Sequence, residues 1–339
     1  MPDEPSVNSV NSDVEINVDS QFDPLKSFYH TNVKNLKFGH LNINSYRNKF
    51  QPISQILSQN LLDIMFIQES KLDDSFPHAQ FHVNGYKINR NDCSDREGGI
   101  LVYIRDDIPH RRLSDIEKYK INDDRGRVEL LCTEATIRNE KWIFVSVYKQ
   151  PKVRNNVLKC IFEDILNDID LAKSNVIIIG DINVNMLNTS TDIDIQELLD
   201  VYGLSNIVRT PTCFKGKTPS LLDVIFVNKP KRFNPVITFN CGLSDCHNMV
   251  CVSTKLHVLP QNRKLIHYRS YKKFDENKFC ADLISAPFHV SEVFDDIDDS
   301  YWFFSSILNN VISEHAPIKT KVLKRTQVPY MNSEASQLM

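Results

Sequence analysis

Residues 175–185, NVIIIGDINVN, decide how the chain is read. Val176 to Ile179 form an unbroken β-branched run, too short for a helix and apolar on both faces, which predicts a strand covered on each side. Gly180 ends the run. Asp181 and Asn183 follow two positions apart, so a continuing strand would project both to one side at its end. A carboxylate and a carboxamide at the rim of a buried strand are costly to desolvate without a partner, and a metal, a phosphate or a catalytic group would supply one. A loop in which Asp and Asn merely cap backbone groups explains the same residues. Both remain open on this segment alone.

Working outward, the same arrangement recurs. Residues 36–43 predict a first strand ending in Asn42 and Asn44, and residues 63–69 a second that ends on Glu69. Between them Phe50, Ile53, Ile56, Leu57 and Leu61 recur at helical spacing, with Pro52 in the first turn. Residues 81–89 and 99–105 predict two further strands with a turn at Gly98-Gly99; no Lys-Ser or Lys-Thr follows, which excludes a phosphate-cradling loop of that type. Residues 127–137 and 142–148 predict a hairpin turning at 138–140. Val157, Leu158, Ile161, Phe162, Ile165, Leu166 and Ile169 make one wide helical stripe. Past the central run come a short helix over 194–202, opened by Asp194 and Glu197 in a capping-box-like pattern, and strands over 221–227, 236–241 and 249–254. Hairpins mixed with strand–helix–strand units exclude a single parallel sheet. The expected fold class is α/β, a four-layer sandwich of two mixed β-sheets packed face to face with helices on both outer sides.

The 339 residues are 41% hydrophobic and carry a net charge of −3, enough for a large α/β domain with an appendage and far from a strongly basic coat. Eight cysteines include no CxxC pair, and Cys241, Cys246 and Cys251, spaced by five, do not match common zinc patterns. Reduced thiols of an intracellular protein are expected. No apolar run approaches the roughly 18 residues of a membrane span, and the polar, acidic N-terminus has no secretory apolar region, so neither secretion nor membrane insertion is expected. The expected organisation is a disordered segment over 1–33, a folded domain over 34–256, and a basic linker with a helical spacer over 257–339. Residues 255–273 hold six Lys or Arg and no acid, with Tyr268 and Tyr271 interleaved. That pattern suits a nucleic-acid backbone and its bases, and equally a solvated linker. Further on, Ile297, Tyr301, Phe304, Leu308 and Val311 mark an amphipathic helix whose apolar face needs a partner.

Asn42, Asn44, Glu69, Tyr148, Asp181, Asn183, Asp223, Asp245 and His247 all fall at predicted strand ends. Singly each has a structural explanation: Asp223 as a paired core acid, Tyr148 as packing, His247 as a structural histidine. On one shared rim they would supply hard oxygen ligands for Mg2+, an acid–base pair and neutral amide donors, the set that phosphodiester hydrolysis requires.

The blocks LNIN at 41–44, QES at 68–70, VYKQP at 147–151, GDIN at 180–183, SLLD at 220–223 and LSDCH at 243–247 match, in order, the signatures of the endonuclease/exonuclease/phosphatase superfamily. Over residues 35–256 the chain most resembles the apurinic-endonuclease-like domain of non-LTR retrotransposon polyproteins. Residues 266–279 and 315–325 look like the spacer such polyproteins carry before a reverse transcriptase, and no reverse-transcriptase motif is present. A fragment, or a product that ends before the polymerase, is expected. The resemblance implies a Mg2+-dependent DNA endonuclease, with Mn2+ as a substitute, that leaves a 3′-hydroxyl able to prime reverse transcription and a 5′-phosphate. It implies Glu69 as the main metal ligand, with Asn44, where many relatives hold an acid, and Asp245 nearby. Asp181 would orient and deprotonate the attacking water, Asn42 and Asn183 would position it and the phosphate, and Tyr148 would donate to a phosphate oxygen. Asp223 would hold His247, and that imidazole would bind the scissile phosphate. The implied partners are duplex DNA, element RNA and a downstream reverse-transcriptase domain, and the implied location is the nucleus after cytoplasmic synthesis.

One departure stands out. Cys246 separates Asp245 from His247, which are adjacent in the family pattern. Either one residue is inserted and a β-bulge absorbs it, leaving His247 aimed inward, or Cys246 takes the histidine position and the enzyme is crippled. Three other functions fit the same fold: a non-catalytic DNA-binding module, an abasic-site repair nuclease, and a phosphoinositide or sphingolipid phosphodiesterase, whose lipid-facing apolar loops are not evident.

Overall fold

The computed structural model describes residues 20–93, 97–124, 126–187, 193–216, 218–257 and 265–322. Two units divide the chain, 1–259 and 260–339. In the first, α1 (Asp23–Thr31), β1 (Asn35–Asn42), α2 (Phe50–Ser58), β2 (Ile64–Gln68), β3 (Tyr86–Asn91) and β4 (Ile100–Arg105) are followed by β5 (His110–Arg112), α3 (Ser114–Glu117), β6 (Ile121–Asp123), β7 (Gly126–Ile137) and β8 (Glu140–Lys149). Then come α4 (Asn155–Asn167), β9 (Ser174–Asp181), α5 (Ile193–Val201), β10 (Ser205–Asn206), β11 (Asp223–Val227), β12 (Ile237–Phe239) and β13 (Met249–His257).

The strands make two sheets, ordered β12-β13-β1-β2-β4-β3 and β10-β11-β9-β8-β7-β5, with β6 paired to β7. Each sheet is mixed, because β1 runs parallel to β2 and β8 parallel to β9 while the remaining pairs are antiparallel. Phe38, Phe66 and Val102 of the first sheet share one core with Phe144 and Ile178 of the second, which extends to Leu158 and Phe162 of α4 and Leu198 of α5. A second core packs Leu25 and Phe28 of α1 and Ile53, Ile56 and Leu57 of α2 on Leu41, Met65 and Leu101. The result is the four-layer sandwich that the alternation of patterns predicts.

Alternation along β1 positions the chemistry. Leu36 and Phe38 lie in the inter-sheet core whereas Leu41 and Ile43 lie in the outer one, so the period of two carries His40 and Asn42 onto the face that meets the second sheet. The same logic on β2 puts Ile64 and Phe66 inward, followed by Gln68.

Gly180 sits opposite Val147 in the parallel β8–β9 register. At φ 153° it has no room for a Cβ, which would collide with the Val147 carbonyl oxygen. Gly180→Ala is expected to destabilise the protein by about 1–3 kcal/mol through overpacking. A denaturant midpoint equal to that of wild type would show that β8 and β9 part at no cost.

Several expectations need correction. Residues 23–31, placed in a disordered segment, form α1 because Leu25 and Phe28 recur at helical spacing and are buried; residues 1–19 lie outside those described. The strand expected from residue 81 begins at Tyr86, since Phe81 closes a short turn of 3-10 helix (His78–Phe81) and anchors it in the outer core. The hairpin turns on Arg138 and Asn139 alone, both left-handed at φ 52° and 61°, as a two-residue turn with the twist of its strands demands. With two to four residues each, β5, α3, β6 and β10 are too short to show periodicity.

In the second unit β14 (Leu265–Arg269) pairs antiparallel with β15 (Ile318–Val322), and α6 (Glu276–Ser285) and α7 (Ile297–His315) lie between them in sequence. On α7, Phe304 stacks on Phe288 at 4.8 Å, while Ile297 and Tyr301 are exposed. Of the basic segment, residues 258–264 lie outside those described, and Tyr268 and Tyr271 are exposed. No described helix is long and apolar enough to cross a membrane.

Candidate active site

The C-terminal ends of β1, β2, β8 and β9 and the N-terminal ends of β11 and β13 meet on one rim, where two hydrogen-bonded groups face each other. Asn42 Nδ2 donates to Glu69 Oε1 at 2.8 Å and to Asp181 Oδ2 at 2.8 Å. That same Asp181 oxygen lies 3.9 Å from His247 Nε2. His247 Nδ1–H donates to Asp223 Oδ2 at 2.8 Å, and His40 Nε2–H donates to Asp223 Oδ1 at 2.7 Å. Asp181, Asp223 and His40 are buried, and His247 keeps 9% exposure, so the ring has one edge toward solvent.

Backbone strain re-aims the chain where these side chains begin. Asn44, Ser45, Glu69, Lys71 and Asn183 are left-handed at φ 47°, 86°, 51°, 54° and 49°. Each such residue costs on the order of 1–3 kcal/mol, and strain of that size concentrated on one rim marks a place held for function. It also corrects the expectation that Asp181 and Asn183 project side by side from a continuing strand. Asn183 turns away, its N–H donating to Asp181 Oδ1 at 2.9 Å and its Nδ2 to the Lys149 carbonyl at 2.8 Å. Asp181 therefore caps the turn with one oxygen and faces the site with the other.

The electrostatics separate the two buried carboxyls. Burial, reinforced by the charge of Asp223, pushes Asp181 up to about 7 against the opposing effects of His247 and Asn42. Burial also disfavours the Asp223 carboxylate, but hydrogen bonds from His247 and His40 outweigh it and hold that group well below the usual range. For His247, burial favours the neutral ring, yet the Asp223 hydrogen bond and the charges of Asp223 and Asp181 win and raise it to about 9. Burial, with the charges of Glu69 and Asp181, raises the Tyr148 hydroxyl. Neighbouring acids driven in opposite directions are how one site holds both a base and a fixed anion.

Two groups of carboxylate-bearing donors on the rim could take a divalent cation. Asp181, Asp223 and His247 offer ligand atoms within 4.8 Å of one another. Both Asp223 oxygens and His247 Nδ1 carry hydrogen bonds, which a cation drawing on all three residues would replace. The second group is Glu69, Asn44 and Asp245. Asn44 Nδ2 donates to Asp245 Oδ2 at 2.9 Å, and the Lys71 ammonium is 2.5 Å from Asn44 Oδ1 and 4.0 Å from Glu69 Oε2. The Lys71 ammonium already sits among these oxygens and would have to move aside for a cation; the donors themselves are hard oxygens of the kind that suits Mg2+.

Of the nine predicted residues, short contacts join Asn42, Glu69, Asp181, Asp223 and His247, and Asn44 pairs with Asp245 in the bend before β13; Tyr148 stands opposite Asp181 in the β8–β9 register and Asn183 turns to Lys149. Three further side chains went unnoticed in the sequence. His40 is one; its signal is that it shares the inward parity of Asn42. Lys71 is another, two residues beyond Glu69. Gln68 is the third, its Nε2 donating to Ser146 Oγ at 2.8 Å across the two sheets. The extra residue in LSDCH is taken up by the bend over 242–246 rather than by a β-bulge, and His247 rather than Cys246 meets Asp223. A cavity of about 640 Å³ lies elsewhere, lined by Pro24, Phe28, Asn234 and Phe239, and holds none of these groups.

Residues 39–245 match the Endonuclease/Exonuclease/phosphatase family, and the match ends two positions before His247, at the extra residue. The chain belongs to that family. An Asp/His cluster able to hold a divalent cation on this family's fold fits metal-dependent nuclease chemistry. The endonuclease/exonuclease/phosphatase fold is shared with an AP endonuclease from Leishmania major at 14% identity and a TM-score of 0.53, over 70% of this chain and 90% of that one. An AP endonuclease from Archaeoglobus fulgidus aligns at 16% identity and 0.50, over 65% of this chain and all of the other. The endonuclease domain of TRAS1, a telomere-specific non-LTR retrotransposon, aligns at 14% and 0.50, over 65% and 99%. No curated protein matches the sequence.

Proposed function

We propose that this chain is a Mg2+-dependent endonuclease that nicks duplex DNA by phosphodiester hydrolysis, leaving a 3′-hydroxyl and a 5′-phosphate. One observation carries the reading: through Asn42, a single Asp181 oxygen is tied to Glu69 while standing 3.9 Å from His247, so water base, metal carboxylate and phosphate ligand converge. Asp181 in its ionised form takes the proton of the attacking water, its carboxylate held by Asn42 Nδ2 on one oxygen and the Asn183 N–H on the other. His247, charged below about pH 9, donates to the scissile phosphate while Asp223 and His40 fix its ring. Tyr148 donates to a further phosphate oxygen. Glu69, with Asn44 and Asp245, would hold Mg2+, or Mn2+ in its place, which would supply positive charge beside the leaving 3′-oxygen.

In this reading residues 34–256 are the nuclease and 257–339 a spacer of a non-LTR retroelement, acting in the nucleus with element RNA and a reverse transcriptase as partners. The spacer-like sequences and the fold shared with the TRAS1 domain support it. The fold shared with two AP endonucleases favours a second substrate, abasic duplex. Cleavage rates on abasic and intact duplex separate the two.

Supercoiled plasmid is expected to become open circles in Mg2+ and to stay supercoiled in EDTA. DNA ligase should then reseal the product without any treatment of its ends. Nicking that survives EDTA, or nicks that ligase refuses, would contradict the mechanism.

A further inference from the structure

Beside the rim, Cys213, Cys246 and His247 present two sulfurs and a ring nitrogen within 4.8 Å of one another. Backbone pairing holds them there. The Phe214 N–H donates to the Cys246 carbonyl at 2.8 Å and the Asn248 N–H to the Thr212 carbonyl at 2.7 Å, which makes Cys213 and His247 directly opposed residues of an antiparallel bridge. That kind of pair, flanked rather than joined by its hydrogen bonds, brings side chains closest. Cys213 is tied from its other side as well, exchanging hydrogen bonds at 2.9 Å in both directions with Ser220. Cys213 is buried and Cys246 half-buried, so an ion has access from the Cys246 side.

We infer that Cys213, Cys246 and His247 form a site for a soft divalent cation of the zinc class, and that its occupation shuts off the nuclease. Zinc bonds of about 2.3 Å to sulfur in a tetrahedral arrangement put two thiolates roughly 3.8 Å apart, inside the observed 4.8 Å limit. At neutral pH binding breaks two S–H bonds and one imidazolium N–H bond, releases three protons to solvent and forms two Zn–S bonds and one Zn–N bond, with the fourth position left to water. Two thiolates and an imidazole around a dication carry no net charge, which keeps the cost of burial low. Mg2+ prefers the oxygens of Glu69, Asn44 and Asp245, so the two metals sort by ligand softness. His247 has one nitrogen on Asp223 and the other toward Asp181. A metal taking the first breaks the bond that orients the ring, and one taking the second removes the donor meant for phosphate. Inhibition thus rests on the proposed role of His247, whereas binding does not.

The test uses the full chain under a non-thiol reductant. Co2+ should give thiolate-to-metal charge-transfer absorption, and equilibrium dialysis should give one tight Zn2+ equivalent. Cys213→Ser and Cys246→Ser should each weaken that equivalent by more than about tenfold, since loss of a direct ligand costs at least what loss of an outer partner does. Both variants should nick plasmid in Mg2+ at the wild-type rate and resist added Zn2+, which stops the wild type. Absence of the charge-transfer band, or variants that bind Zn2+ as tightly as wild type, would overturn the site. Zn2+ bound with undiminished nicking would overturn the inhibition. A wild type that shows the band yet never nicks in Mg2+ would retain the site and tell against the nuclease.

Discussion

Asp181→Asn is expected to lower the rate of plasmid nicking by about 10²–10⁴-fold, the usual contribution of a positioned general base. The amide preserves the shape of the carboxyl and keeps an oxygen for the Asn183 N–H, so the turn at the end of β9 survives. What disappears is the capacity to accept a proton, together with the oxygen that accepts from Asn42 Nδ2. The stability of the variant separates this from a structural fault. Burial and the nearby Asp223 raise the Asp181 pKa to about 7, so above its ordinary value the ionised form is penalised in the folded state and opposes folding. At neutral pH relief of that penalty offsets the lost Asn42 bond, so Tm should change little while nicking collapses. His247→Ala should lose about 10²–10³-fold, as removal of a preorganised donor to a developing charge does. Wild-type nicking by both variants would mean that the chemistry lies elsewhere.

Asp223→Asn should be nearly as damaging and should also change the response to pH. With His247 raised to about 9, the wild-type rate should fall tenfold per pH unit above that value, because only the imidazolium donates to phosphate. The acid limb belongs to Asp181 and lies at or below about 7, since a cation on Glu69 favours the carboxylate. Removing the Asp223 charge takes away what raises His247, so the basic limb should move toward the ordinary histidine value of about 6.5. Stability has the matching sign: the His247 contribution is complete below about pH 6.5 and is lost as pH rises through 9. A basic limb that stays in place in Asp223→Asn would show that His247 is not the group titrating there.

Much of this molecule was legible in one dimension, and the reason is periodicity. Runs such as Val176 to Ile179, the stripe from Val157 to Ile169 and the alternation along β1 carry their own burial pattern, so the mixed sheets and their covering helices follow without reference to any partner. The polar strand ends were legible for the same reason, because Asn42, Glu69, Asp181 and Asp223 interrupt or terminate apolar runs. Short elements such as β5 and β10 were not, since two or three residues show no period.

Apolar runs and the polar residues that interrupt them told where most strands lie and which side chains end them. What those side chains meet depended on how the sheets pack. His40 and Asp223 are 183 positions apart and touch because two sheets pack face to face. Cys213 and Cys246 match no metal-binding spacing, yet a short backbone ladder brings them to His247. Local pattern records the burial of a side chain, but the partner across a sandwich is chosen by how two whole sheets fit, and that is a property of the packed core and of no segment within it.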